Sequence, residues 1–324
     1  MTLDFAGDER LQTAFADAWS RKADFEEGAA YMRGRFVPLS EATIPITDWA
    51  YRRSDVVYDV ASVWEGSFFR LDDHIARFRR SMTRWRLDPP ESDAQIHDIA
   101  LAVVALSGLK AAYVGMDCLR GKAPRGVPSH PANAQNYLAV FARGFAWIMP
   151  PDLQERGARM MIAKTRRIAP EAVDPTAKNF HWGDMTQALF EAEDQGLDGA
   201  ILLDGDGYVT EGPGYNVFAV LAGTVVTPDR GALEGMTRQS VLELCAMLNI
   251  PIEVRPISVQ ELEHCDEIFM TTTAGGVMPA SELDGRALAS TIGRQLRHRY
   301  WAEREAGWLG TPVDYEMSCD GGID

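Results

Sequence analysis

The chain has 324 residues, of which 46% are hydrophobic and 24% charged, and a formal net charge of −15. That length supports two hydrophobic cores without disulfide or metal staples, and the acidic excess would repel nucleic acid and anionic membrane surfaces. The four cysteines, Cys118, Cys245, Cys265 and Cys319, form no C-x-x-C pair and have no histidine at metal-ligand spacing, so free thiols in a reducing cytoplasm are expected and a metal site is not.

The amino terminus carries no basic stretch followed by an apolar one, and no apolar run reaches the about 18 residues of a membrane span, so a cytoplasmic protein is expected. Leu11, Phe15 and Trp19 recur at i, i+4 and i+8 and predict an amino-terminal helix. Residues 28–38 predict a hairpin turned at Arg33-Gly34, followed by an extended stretch over 42–47. In the run 54–60, Tyr58 stands between Asp55 and Asp59 and reads as half-buried packing. Leu71, Ile75, Phe78, Met82 and Trp85 lie on one face of a helix beginning near Asp72. His74 and Arg77 fall one turn apart on another face. An arginine there is ordinarily a solvated charge, although its planar fork suits phosphate.

A second helix should end at Ser107-Gly108, and residues 111–116 predict a strand. Residues 120–131, rich in Gly, Pro and basic side chains, predict a loop carrying Arg125 that is long enough to serve as a lid. Another strand is expected over 136–141. The run Met149-Pro150-Pro151 marks a linker, 148–153, between a small domain, 1–147, and a larger domain, 154–324, that carries Lys178.

Lys178 follows an Asp174-Pro175 turn and precedes Asn179-Phe180-His181-Trp182-Gly183. Such poorly charged surroundings would lower an amine's pKa and suit a nucleophile, whereas an arbitrary lysine is a surface residue. Asp184 and Gln187 have capping-box spacing, and Met185, Ala188, Leu189 and Ala192 then recur at helical period until Gly196. Residues 199–204 predict a buried strand, Gly205-Asp206-Gly207 a turn, and Tyr208 to Thr210 an extended run that delivers Glu211 at its end. Residues 215–221 and 224–227 should pair across Ala222-Gly223. After a glycine-bounded loop, Thr237 is placed to cap a helix whose apolar face carries Val241, Leu244, Cys245 and Leu248. A helix start of this kind suits phosphate. Residues 267–273 predict a strand entering Ala274-Gly275-Gly276, and the tail from Gly310 should be loose or pack on a partner.

Together these motifs resemble one family. Lys178 before Asn179 and Phe180, the run from Thr210-Glu211-Gly212 to Asn216, His74-x-x-Arg77, Gly235-x-Thr237-Arg238 and Thr272-Thr273-Ala274-Gly275-Gly276 are similar, in order, to the fold type IV pyridoxal-phosphate aminotransferases over about residues 28–284. Residues 54–60, 62–66, 68–74 and 174–178 bring the likeness nearest to the (R)-selective amine transaminases. The resemblance implies an α/β (α+β) fold of two domains, the larger a pseudo-barrel, and a homodimer. It implies pyridoxal 5'-phosphate held by Lys178 as a Schiff base, with Arg77, Met236, Thr237, Thr272 and Thr273 around the phosphate. Glu211 would stand at the pyridine nitrogen, and Trp182, Asn216 and Leu233 beside the ring. Arg53, Tyr58, Val60, Tyr113, Arg125, Trp182, Thr273 and Ala274 would line the substrate.

The implied reaction is ping-pong transfer of an amino group from a primary amine to a keto acid such as pyruvate. D-amino acid and branched-chain aminotransferases and aminodeoxychorismate lyases are the alternatives. D-amino acid enzymes grip the substrate carboxylate with arginine and histidine in the small domain, and the strand from Tyr113 to Met116 offers an aromatic, a glycine and apolar groups instead. Arg53, where amine transaminases tend to carry histidine, could with Arg125 still build a carboxylate site.

Overall fold

The computed structural model describes residues 3–316, so Cys319 lies outside the described residues. Two compact units share the chain: Met1–Ala146 with Ala177–Phe180 and Leu309–Asp324, and Trp147–Thr176 with His181–Trp308. This division differs from the expected split at 148–153. The lysine segment groups with the first unit because its backbone is tied there: Tyr58 N donates to Lys178 O at 3.0 Å, and Val57 and Asn179 form an antiparallel bridge.

The first unit contains α1 (Glu9–Ser20), β1 (Ala29–Met32), β2 (Arg35–Pro38), α2 (Trp49–Arg53), β3 (Val56–Trp64), β4 (Ser67–Phe69), α3 (Leu71–Trp85), α4 (Asp93–Ser107), β5 (Ala112–Leu119) and β6 (Tyr137–Gly144). Its sheet runs from a terminal strand, Gly310–Pro312, through β4, β3, β5, β6 and β1 to β2, with antiparallel neighbours throughout. The start of the tail, expected to be loose or to pack on a partner, is therefore a sheet edge at Gly310–Pro312, and Val313 beyond it is buried in the core. The hairpin turns at Arg33-Gly34 as expected, with both residues at positive φ.

Alternation along the strands decides what each face does. Val57, Ala61, Ala112, Val114, Met116 and Cys118 join the core formed with Phe78 and Met82 of α3 and Ile96 and Ile99 of α4. The opposite face carries Tyr58, Val60 and Ser62 of β3, paired with Asp117, Gly115 and Tyr113 of β5. Strand β5 was expected to stop at residue 116. It continues because its ladder with β3 runs on to Val56↔Leu119, which takes Asp117 into the sheet.

The second unit contains α5 (Pro151–Arg156), β7 (Ala158–Ile162), α6 (Gly183–Asp194), β8 (Gly199–Ile201), β9 (Glu211–Gly212), β10 (Tyr215–Leu221), β11 (Thr224–Thr227), α7 (Met236–Leu248), β12 (Ile252–Val254), α8 (Val259–His264), β13 (Glu267–Thr272), β14 (Gly276–Leu283), β15 (Arg286–Ala287) and α9 (Thr291–Glu305). Its sheet follows the order β12-β11-β10-β13-β14-β7-β8, with β9 on β10 and β15 on β14. Met160, Ile201, Val217, Ala219, Ile268, Met270 and Met278 form its main core. Pro151, read as linker, instead opens α5, where its missing N–H costs nothing.

Two cap expectations are corrected. Helix α6 starts from Trp182 without a side-chain cap. The Asp184 carboxylate turns to other donors, accepting from Arg167 Nη1 at 2.6 Å and Ile168 N at 2.8 Å. Helix α7 starts from Gly235, and Thr237 lies buried in its first turn. Cys118, Cys245 and Cys265 are buried free thiols, and burial pushes Cys118 and Cys245 up to about 12. Among the described residues no helix is long and apolar enough to cross a membrane.

Candidate functional site

In the first unit the backbone places Lys178, and its side chain inherits that placement. Lys178 N donates to Ser81 Oγ at 3.2 Å, and Ser81 Oγ donates back to Arg77 O on α3 at 3.1 Å. The ammonium lies 4.4 Å from the Tyr58 ring centroid, and Phe180 meets the same ring edge-on at 4.8 Å. A cation on a ring face is held weakly but directionally. Tyr58 thus serves as a platform under the amine rather than as general packing.

Behind that strand, the face toward α3 carries one charge. Asp59 is fully buried, taking Arg77 Nε on Oδ2 and Arg77 Nη2 on Oδ1, both at 2.8 Å, and His74 Nδ1 on Oδ1 at 2.7 Å. The ionised carboxylate can only accept, so His74 carries its proton on Nδ1. Burial alone pushes Asp59 up, but the Arg77 charge and hydrogen bonds, with those of His74, outweigh it and hold the carboxyl well below its ordinary range. Burial holds His74 below its ordinary value, with Asp59 pulling the other way. Arg77, read from sequence alone as a solvated charge, is buried with a fixed fork.

This geometry sets an acid sensitivity. Both folded pKa values lie below their ordinary ones, 6.5 for His74 and 3.8 for Asp59, so the unfolded chain binds more protons in each case. The stability they contribute is present above pH 6.5 and is lost as pH falls, through His74 first and Asp59 later. Arg77→Ala leaves Asp59 as a buried charge without its main partner, which should destabilise the fold by about 3–5 kcal/mol. Urea unfolding of wild type and variant from neutral pH downward checks this, and an unchanged midpoint would refute it.

In the second unit, Glu211 and Asn216 are a cross-strand pair between β9 and β10 and point to one side. Glu211 is buried. Its Oε1 accepts from Arg167 Nε at 3.1 Å and Nη2 at 2.9 Å, and its Oε2 accepts from Leu233 N at 3.0 Å. Asn216 Nδ2 donates to Leu233 O at 2.7 Å. The two strand residues therefore clamp both backbone groups of Leu233, and this fixes the loop entering α7. A Cβ on Gly235 would fall 2.0 Å from Asn216 Oδ1, so only glycine allows the helix start to come this close. Burial pulls Arg167 down, but the carboxylates of Glu211 and Asp184 overcome it and raise the guanidinium above its ordinary value.

The second unit thus holds a fixed buried carboxylate and an α7 amino terminus without a side-chain cap, where backbone N–H groups suit an anion. Buried Met236 and Thr237 lie in that first helical turn. Half-buried Thr272 and Thr273 close β13, where Thr272 Oγ1 accepts from Ala274 N at 3.4 Å. Half-buried Trp182 precedes α6. This donor chemistry fits a flat phosphorylated ligand.

On the first unit's sheet face, Val60 pairs with Gly115. A Cβ there would lie 2.4 Å from Phe141 Cζ, so the Phe141 ring rests on bare backbone. Tyr113 lies beside Phe141 at 6.3 Å, with Arg143 4.6 Å from its ring centroid. Arg53 is exposed and lies over Trp49 at 4.3 Å. Arg125 is exposed in a turn where Val127 N donates to Pro124 O. Sequence reasoning missed Asp59, Ser81, Arg167 and Asp117 as participants. An acid in the apolar run 56–63 was a readable signal for Asp59, whereas nothing distinguishes Arg167 from its neighbour Arg166.

A family model described as "Amino-transferase class IV" matches residues 56–283. The chain is 29% identical over 276 residues to a putative branched-chain-amino-acid aminotransferase of Methanocaldococcus jannaschii, covering 83% of this chain and 94% of that one. It is 30% identical over 259 residues to the D-alanine aminotransferase of Bacillus licheniformis, covering 79% and 89%. Among solved structures, a branched-chain amino acid aminotransferase from T.th., bound to pyridoxamine 5'-phosphate, matches with a TM-score of 0.82 at 28% identity, covering 90% of this chain and 100% of that one.

Proposed function

The chain belongs to the class IV amino-transferases, and within that family we propose that it transfers an amino group from an R-configured primary amine lacking a carboxylate to a keto acid such as pyruvate. It is an aminotransferase that uses pyridoxal phosphate. Bound, this cofactor supplies the electron sink that lets a proton leave the carbon bearing the amino group.

The protein's residues do the rest. Lys178 Nζ would hold the cofactor and, once freed by the substrate amine, would be the base that carries the proton released from the substrate carbon. Glu211, fixed by Arg167 and Leu233, would keep a proton on the pyridine nitrogen, while Asn216 holds the Leu233 loop in place. Arg77, Met236, Thr237, Thr272 and Thr273 would hold the cofactor's phosphate, and Trp182 and Leu233 its ring. Tyr58, Val60, Tyr113, Trp182, Thr273 and Ala274 surround the substrate, and the active form is a homodimer, which sedimentation at assay concentration checks.

One observation carries the choice of donor. Phe141 lies on Gly115 beside Val60, so this part of the sheet face presents apolar groups and no arginine. The keto acid's carboxylate is then met by Arg125, whose exposed turn lets it swing in and return to water. A fixed buried arginine would stand unpaired whenever an amine was bound. The second reading, an amino-acid aminotransferase, is favoured by Arg143 over Tyr113 at the outer end of that face.

A donor panel with pyruvate, using both enantiomers of an arylalkyl amine and of alanine and leucine, decides between them. The R-amine should be the best donor, and Arg125→Ala should slow the pyruvate half-reaction far more than the amine half. Preference for an amino acid would support the second reading, and equal slowing of both halves would remove Arg125 from the keto-acid site.

A further inference from the structure

The extension of β5 to Leu119 sets one acid into the substrate-side face. Asp117 is directly opposite Tyr58 on β3 and opposite Ala139 on β6. Its own unit offers apolar or aromatic groups there, Val60, Ala139 and the Phe141 ring, and the Tyr58 ring beside it carries the Lys178 ammonium. No hydrogen bond or ion pair reaches the Asp117 carboxyl among the described residues, and burial without a partner pushes it up to about 7. Asp59, one position from Tyr58, shows the contrast: it faces the other way and is fully satisfied by Arg77 and His74.

A half-buried carboxyl left without a donor costs stability, and an apolar residue would fill this ladder position at lower cost. Opposite residues of an antiparallel pair have Cβ atoms about 5 Å apart, so Asp117 is the immediate cross-strand neighbour of the ring that carries the amine. A substrate whose reacting nitrogen comes to Lys178 would bring atoms a few bonds further along into reach of the carboxyl.

We propose that Asp117 is a specificity-determining residue that receives a second ammonium group on the amino donor, so that a donor carrying a second amino group is bound more tightly than an otherwise matched monoamine. The inference rests on the reading of the donor as an amine without a carboxylate. The ammonium supplies the donors that Asp117 lacks, and pairing favours the ionised carboxyl. No covalent step is added to transamination. One nitrogen reacts while the other is held.

The test compares 1,4-diaminobutane with 1-aminobutane at saturating pyruvate, first in the wild type and then in Asp117→Asn. In the wild type the diamine should have a KM at least tenfold lower. Asp117→Asn keeps the shape and removes the charge. It should raise the diamine's KM tenfold or more while leaving its kcat and the KM for 1-aminobutane within twofold. Equal KM values for the two amines in the wild type would overturn the proposal without needing the variant, and so would parallel changes in Asp117→Asn. In either case the amine reading stands. If neither amine donates while amino acids do, the amine reading falls and the proposal with it.

Discussion

Lys178→Ala should yield a folded protein that has lost the visible absorption of the bound cofactor and at least ~10⁴ of its turnover, since both covalent attachment and proton transfer go with the amine. Folding should survive. The segment is held by backbone groups, through Tyr58 N to Lys178 O and Lys178 N to Ser81 Oγ, and the substitution keeps them. The contact of its ammonium with the Tyr58 ring is worth about 0.5–2 kcal/mol. Lys178→Arg is the sharper control. A guanidinium keeps the cation on the ring but stays protonated and cannot act as a nucleophile, so it should be as inactive as alanine. Spectra and single-turnover assays of both variants check this. Retained colour and turnover in either one would place the reactive amine elsewhere.

Glu211→Gln should lower kcat by about 10²–10³ with little change in KM, because it removes the charge proposed to hold a proton on the pyridine nitrogen and leaves the shape unchanged. The local hydrogen-bond pattern makes the effect specific. Glu211 offers acceptors in two directions, Oε1 to Arg167 and Oε2 to Leu233 N. A glutamine must turn its NH₂ toward one of these donors. The misplaced group should also cost about 1–3 kcal/mol of stability. Arg167 keeps Asp184 as a partner at 2.6 Å, which limits the damage. Glu211→Asp, with the charge retained on a shorter arm, should recover part of the rate. A near-normal kcat in Glu211→Gln would show that another group sets the nitrogen's protonation.

Much of the local structure was legible because it rests on short-range rules. The period of Leu71, Ile75, Phe78 and Met82 announces α3, the Arg33-Gly34 turn announces its hairpin, and residues 215–227 announce β10 and β11, whose pairing the structure confirms. Several ends were not legible. Nothing local told β5 to run past Met116, because the ladder with β3 extended it. The Asp184-Gln187 spacing read as a cap, but Arg167 and Ile168 N, distant in sequence or in an irregular segment, offered the aspartate better partners.

The same division holds for the site. By itself the sequence determined which residue types are available and in what order: a lysine after a rigid turn, a glutamate at a strand end, an His-x-x-Arg pair on a helix, and glycines before a helix start. Those are chemical identities, fixed by the chain alone, and they carried the family. Only the tertiary structure decided which of these groups are satisfied and which are left wanting a partner. Asp59 and Asp117 are both aspartates in apolar strands. A buried carboxyl's state depends on the donors that other elements bring to it, so α3 makes Asp59 a finished ion pair, while the face beside Tyr58 leaves Asp117 without one.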